Sequence, residues 1–176
     1  MGPLLLFILI VAWVFALITV HEIGHFTLGW VGGLPPRDMK IRLLTFPQHV
    51  ALRDGSDWVS PVRDIGRYVA ITRRHLRTRV AAFAWVAGGM TLELLWTGAV
   101  CGAALLGGYR AIAFWFAAIS LGMYAINVFL MDLPWALRYR TAAGDTSGLW
   151  EIAPLAGAIF SLCMALSRVL LVVACA

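Results

Sequence analysis

Four long apolar stretches constrain the fold of this chain more than any other feature. They cover residues of about 4–30, 80–106, 109–131 and 152–174. A helix that crosses a lipid bilayer needs about 20 mostly apolar residues, and each stretch reaches that length. Only 13% of the residues are charged, about half of the fraction that is usual in soluble domains. The sequence therefore predicts an all-α polytopic membrane protein, with residues 1–176 forming a single membrane-embedded domain that has four transmembrane helices.

The basic residues predict how the chain is oriented. Of the 14 Lys and Arg residues, ten fall within 37–79, between the first two stretches. Cytoplasmic loops are rich in Lys and Arg, so we expect loop 32–79 in the cytoplasm and both termini outside. The basic residues are then expected to face anionic lipids, and nucleic acid is not expected as a partner. All but one are Arg, a usage that is common in GC-rich bacterial genomes. The expected location is the bacterial plasma (inner) membrane, which the chain would cross several times.

Loop 32–79 predicts two pieces of regular structure. Apolar and polar residues alternate in MKIRLLTFPQHVALRDG, which predicts a short membrane-associated β-hairpin from Met39 to Arg53. From Trp58 to Arg79, apolar residues keep a helical spacing and arginines fill most of the remaining positions. This pattern predicts a basic amphipathic helix that lies on an anionic leaflet. The same arginines also fit a plain topology signal, so both interpretations stay open.

The first apolar stretch ends in a cluster of ionisable residues, His21-Glu22-Ile23-Gly24-His25. Histidines four residues apart lie on the same face of a helix, and such a pair can bind one divalent ion. Glu22 lies roughly 100° further around the helix, where it could take a proton from water. Each ionisable residue inside a span costs about 2.5–3.5 kcal/mol. The cluster therefore predicts a zinc site, against the alternative of a metal-free polar patch that pairs with other helices.

A catalytic zinc ion needs a third protein ligand. Asp132, Asp145 and Glu151 are candidates because they follow the third stretch, on the side of the membrane where the histidines are expected. Glu93 is a fourth candidate, but it is expected near mid-membrane. There it could instead pair with Arg168 inside the helix bundle, because either charge alone is costly. The residues alone leave this choice open.

The motif His21-Glu22-Ile23-Gly24-His25, placed at the end of a spanning helix, resembles that of the site-2 protease family of intramembrane zinc metalloproteases. Asn127, then Pro134, then Asp145 resemble a later family segment in which the Asp is a zinc ligand. The segment Ala87-Gly88-Gly89-Met90 resembles the small-residue segment of the second span. The chain departs from the family pattern at Thr146, where Gly is expected after the Asp, and at Met90, where Pro is expected.

The resemblance implies a zinc-dependent intramembrane endopeptidase that hydrolyses peptide bonds within or near transmembrane segments. One zinc ion would be held by His21, His25 and Asp145, with Glu22 as the catalytic base. Asn127 is the second candidate catalytic residue, since it could hold the substrate backbone or stabilise an oxyanion. An interhelical hydrogen bond is the other interpretation of Asn127.

The implied partners are a transmembrane protein substrate, such as a membrane-tethered regulator, and a separate regulatory protein. Two alternatives of other classes remain. The first is a catalytically silent scaffold or metal-handling protein, against which the intact Glu22 argues. The second is an aspartyl-type intramembrane protease that uses Asp132 and Asp145. Such enzymes carry Gly-x-Gly-Asp, and Ala142 stands where the first Gly should be.

Overall fold

The computed structural model describes residues 2–140, 142 and 144–176, and most of them are helical. The helices are α1 (Pro3–Gly32), α2 (Ile65–His75), α3 (Arg79–Leu106), α4 (Arg110–Ile126), α5 (Leu133–Tyr139), α6 (Asp145–Ile152) and α7 (Pro154–Cys175). A 3₁₀ turn, Pro36–Asp38, precedes the strands β1 (Met39–Arg42), β2 (His49–Asp54) and β3 (Asp57–Val59). A π-helical segment, Asn127–Asp132, joins α4 to α5.

Among the described residues, four helical segments are long and apolar enough to cross a membrane. They are Pro3–Gly32, Arg79–Leu106, Arg110–Arg138 and Pro154–Cys175. The prediction of four helices of membrane length is thereby confirmed. The third segment runs further than expected, because the π-helical segment Asn127–Asp132 continues directly into α5.

The chain divides into two compact units. The first unit is Ile18–Leu92, and the second is Glu93–Ala176 together with the early part of α1, up to Leu17.

In the first unit, the strands form an antiparallel sheet in the order β1-β2-β3. Met39 pairs with Leu52, and Leu52 pairs on its other side with Val59. The sheet and α2 share one apolar core, which is also bounded by α1 and α3. Its buried members are Leu34, Met39, Val50, Leu52, Val59, Tyr68, Ile71, Leu76 and Trp85. The Tyr68 hydroxyl donates a 2.7 Å hydrogen bond to the carbonyl of Val50, which fastens α2 to the sheet.

The predicted hairpin from Met39 to Arg53 is confirmed by the pairing of β1 with β2. The predicted helix from Trp58 to Arg79 is wrong at its start, because Asp57–Val59 is a third strand and α2 covers only Ile65–His75. Gly55 adopts a φ of 64°, which allows the chain to turn back onto β2. The helix then begins after Asp64, whose side chain accepts a 3.0 Å hydrogen bond from the N–H of Arg67.

Some arginines of α2 bind the sheet. The Arg67 guanidinium lies 2.7 Å from Asp54 and 3.2 Å from Asp57, and Arg74 lies 3.4 Å from Asp54. The hydrogen bond from Arg67 holds the pKa of the Asp54 carboxyl below its usual value, and it raises the pKa of Arg67. Hence part of the positive charge of α2 serves to hold the helix on the sheet.

In the second unit, α7 packs against α4 and α6, and a buried ion pair lies in its interior. Arg168 Nη2 is 3.3 Å from Glu93 Oε1, and both side chains are almost completely buried. The Ser120 hydroxyl donates to the same Glu93 oxygen at 3.3 Å. The Arg168 guanidinium also lies 4.6 Å from the centre of the Tyr124 ring. The predicted pairing of Glu93 with Arg168 is confirmed.

Candidate metal centre

The two histidines of α1 turn their rings toward each other. The Nε2 atoms of His21 and His25 are 3.1 Å apart, and the ring planes meet at 74°. The four-residue spacing produces this arrangement, because residues i and i+4 are neighbours on one helix face. Two nitrogen ligands of one tetrahedral zinc ion lie about 3.4 Å apart. The two Nε2 atoms are therefore spaced to share a metal ion.

The orientation of His25 is fixed by a residue on α3. Its Nδ1 lies 2.9 Å from the backbone carbonyl of Trp85. A carbonyl can only accept a hydrogen bond, so Nδ1 carries the proton, and the lone pair of Nε2 in the neutral ring is directed toward His21. Metal-binding histidines commonly donate their second N–H in this way. Trp85 belongs to the apolar core of the first unit, so its carbonyl is held in place.

A glycine leaves open the space beside the two nitrogens. A Cβ added at Gly89 would lie 2.5 Å from Nε2 of His25 and 2.6 Å from Nε2 of His21. Any side chain there would collide with both imidazole rings and force them to move. Gly24 and Gly88 are a second contact between α1 and α3, and a Cβ on Gly24 would collide with the Gly88 carbonyl. These glycines therefore allow α3 to approach the histidines closely.

Asp145, the first residue of α6, completes a group of metal-ligating side chains. Ligand atoms of His21, His25 and Asp145 all lie within 4.8 Å of one another. Among the residues that the structure describes, this is the group that could hold a metal ion. Two imidazoles and one carboxylate fit a divalent transition metal, and they leave a coordination position open.

The other candidates for the third ligand make different contacts. Glu93 is paired with Arg168. Glu151 accepts a 3.2 Å hydrogen bond from the N–H of Ala142. Asp132 is buried, and its Oδ2 accepts a 3.1 Å hydrogen bond from the N–H of Ser147 in the first turn of α6. The group of ligand atoms that lie within 4.8 Å of one another contains Asp145 and none of these three carboxylates.

The two predicted catalytic residues differ in their surroundings. Glu22 is buried on α1, directly after His21 in the chain. Asn127 is exposed at the junction of α4 and the π-helical segment. The catalytic role of each residue stays a prediction.

Sequence reasoning missed three features that shape the candidate centre. These are the carbonyl of Trp85, the contact of Gly89 with both histidines and the engagement of Asp132 with α6. The pair Gly88-Gly89 was the available sequence signal for the second feature, since adjacent glycines in a spanning helix allow close approach of another helix. The role of the Trp85 carbonyl has no such signal in the sequence, because every residue has a backbone carbonyl.

Comparison with known proteins gives no relative: no protein-family model, no curated protein and no solved structure matches this chain. A function is therefore argued from the chemistry of the site.

Proposed function

We propose that this protein is a zinc-dependent intramembrane endopeptidase of the site-2 protease type. The observation that carries the proposal is the facing pair of Nε2 atoms of His21 and His25, 3.1 Å apart on a helix of membrane length. The carboxylate of Asp145 belongs to the same group. A catalytic zinc site uses three such protein ligands and keeps one position open.

Different residues of the chain would bind the ion, orient a ligand and transfer the proton during hydrolysis. His21, His25 and Asp145 would hold the ion, and the carbonyl of Trp85 keeps His25 in its binding tautomer. When bound there, zinc would supply a Lewis acid that polarises the scissile carbonyl and makes water a better nucleophile at neutral pH. Glu22 accepts the proton of the attacking water and returns it to the leaving amine.

The proposed substrate is a transmembrane protein such as a membrane-tethered regulator. A transmembrane helix hides its peptide bonds in its own hydrogen bonds, so the segment to be cut must unwind. An extended segment can add to the edge of a sheet, and β1 is an edge strand. The loop that follows β1 presents two exposed apolar side chains, Leu44 and Phe46. We propose that this edge holds the unwound segment, and that a separate regulatory protein governs access to it.

The proposed location is the bacterial plasma membrane, with both termini outside and α2 at the cytoplasmic face. The arginine-rich connection between α1 and α3 supports this orientation, because basic residues concentrate on the cytoplasmic side. The remaining arginine of α2, Arg73, is exposed and suits anionic lipids.

The proposal is tested by separating metal binding from catalysis. Glu22→Gln should retain bound zinc but lower the cleavage of a co-expressed single-span membrane protein by at least about 10²-fold, the usual range for loss of a general base. The measurement is product formation on a gel, beside zinc content by mass spectrometry. His49→Ala is the matched control, because His49 is a histidine of β2 whose ring nitrogen lies against the Pro47 carbonyl and not in the candidate metal centre.

Full cleavage by the Glu22→Gln variant would contradict the catalytic role of Glu22. A wild-type protein that binds zinc yet cleaves no membrane substrate would favour the metal-handling alternative.

A further inference from the structure

The helix that carries Asp145 is short. The helix α6 has eight residues, and Asp145 is its first. The first turn of any helix has backbone N–H groups without partners inside the helix, and it frays unless other groups accept from them. The residue before the helix, Gly144, has no side chain that could do so. A ligand in this position therefore needs support from elsewhere in the fold.

Asp132 supplies that support from a distant part of the chain. It is the last residue of the π-helical segment and is only 4% exposed. Its carboxylate accepts hydrogen bonds from the N–H of Ser147 at 3.1 Å and from the backbone and hydroxyl of Thr146. These are the bonds that a capping side chain makes at the start of a helix. Asp132 thus holds the two residues that follow Asp145.

The backbone before Asp145 is packed against the same carboxylate. A Cβ on Gly144 would collide with Oδ1 of Asp132. The N–H of Gly144 donates to the Ser147 hydroxyl at 3.0 Å, and that hydroxyl donates back to the Gly144 carbonyl at 3.1 Å. Asp145 therefore lies between Gly144 and Thr146, both of which contact Asp132.

The other end of α6 is anchored to α7. The indole N–H of Trp150 donates to the Ser161 hydroxyl at 3.2 Å. A Cβ on Gly157 would come within 2.7–2.9 Å of the backbone of Leu149 and Trp150, so the two helices are in close contact. With both ends held, the position of Asp145 depends on the anchor nearest to it, which is Asp132.

We propose that Asp132 is a positioning residue for Asp145: by binding the first turn of α6, it fixes the carboxylate of Asp145 where that carboxylate completes the metal-binding group. This inference rests on the proposed metal site for its functional consequence. We place Asp132 outside the ligand set because the group of metal-ligating side chains contains Asp145 and not Asp132.

The test is Co²⁺ binding by the detergent-solubilised, metal-free full chain, followed by visible absorption. Asp132→Ala should weaken Co²⁺ binding by about 10- to 100-fold, the usual effect of removing a group that supports a metal ligand. Asp132→Asn should stay close to the wild type, because its amide oxygen still accepts from Ser147. Asp145→Asn should abolish binding, and Asp64→Ala, which removes the corresponding capping bond of α2, should leave it unchanged.

Two results would overturn the proposal. If Asp132→Asn lost Co²⁺ as completely as Asp145→Asn, Asp132 would be a ligand. If Asp132→Ala bound Co²⁺ with the affinity of the wild type, Asp132 would not be a positioning residue for Asp145.

A second measurement separates this proposal from the proposed function. Amide hydrogen exchange of the metal-free protein should show faster exchange at Thr146 and Ser147 in Asp132→Ala, with recovery in Asp132→Asn. Unchanged exchange at Thr146 and Ser147 in Asp132→Ala would show that Asp132 does not anchor α6, whether or not metal binding changes. If the wild type bound no Co²⁺, the proposed function would fail, and exchange alone would decide whether Asp132 anchors α6.

Discussion

At the scale of single residues, the candidate metal centre depends on a glycine, Gly89, which has no side chain. Gly89 faces the Nε2 atoms of both histidines so closely that its own Cβ position is the space beside them. Small residues let backbones approach in membrane helices, and here the approach brings α3 up to the two ligands. The glycine is therefore a requirement of the site as well as of the packing.

Substituting this glycine should disturb the site directly. Gly89→Ala should lower zinc affinity by at least about tenfold, because the new methyl group would collide with both imidazoles and push them out of position. Gly98→Ala is the control on the same helix, where a Cβ would meet nothing within 4 Å. Zinc content after dialysis against a weak chelator measures both. Equal zinc in the two variants would show that the space beside the histidines is not used for a metal.

Single residues also show how far the sequence could predict the centre. The facing imidazoles follow from a four-residue spacing, because helix geometry is local. Which of Asp132, Asp145, Glu151 and Glu93 joins the histidines in one group depends on long-range packing. The bond from Ser147 to Asp132 joins residues 15 apart, and no local pattern reports it.

At the scale of secondary structure elements, α3, α4 and α7 are linked by the buried pair of Glu93 and Arg168. The side chain of Arg168 is 1% exposed, and its Nη1 also donates to the Met164 carbonyl at 3.3 Å. A buried charge that loses its partner is much more costly than the absence of both charges.

Removing one partner should therefore be worse than removing both. Arg168→Leu alone should destabilise the folded protein by about 3–5 kcal/mol, and Glu93→Gln combined with Arg168→Leu should recover most of that loss. Unfolding in mixed micelles, followed by circular dichroism, gives the free energies. If Arg168→Leu alone were as stable as the wild type, the pair of Glu93 and Arg168 would not stabilise the fold.

The elements also show where sequence patterns mislead. Apolar residues at Val62, Ile65, Val69 and Leu76 suggest one helix from Trp58 onward. The structure instead has the strand β3 at this place, where Trp58 pairs with Arg53 of β2. A three-residue strand has too little periodicity to be recognised, and only pairing with a neighbour defines it.

At the scale of the whole molecule, the four long helices were the most predictable feature. A bilayer fixes the minimum length of a spanning helix and removes most polar residues from it, so composition alone reveals the spans. The expected orientation rests on the uneven distribution of arginine, which depends on the sequence and not on packing, and it stays a prediction.

The orientation can be tested with reporters that work on one side of the membrane. Alkaline phosphatase fused after Ala176 should be active, because both termini are expected outside. Green fluorescent protein fused at the same position should be dark. Insertion of either reporter at Gly55, a turn with open space around it, should give the reverse pattern. A fluorescent fusion at Ala176 would contradict the orientation and place the histidines at the other face.

The most direct measurement of the central claim is the metal content of the purified protein, with the wild type beside His25→Ala. One zinc ion per wild-type chain, little or none in His25→Ala, and loss of cleavage after chelation with recovery on adding zinc are the predicted results. A wild-type protein that cleaves its substrate without bound metal and is unaffected by chelators would contradict the account.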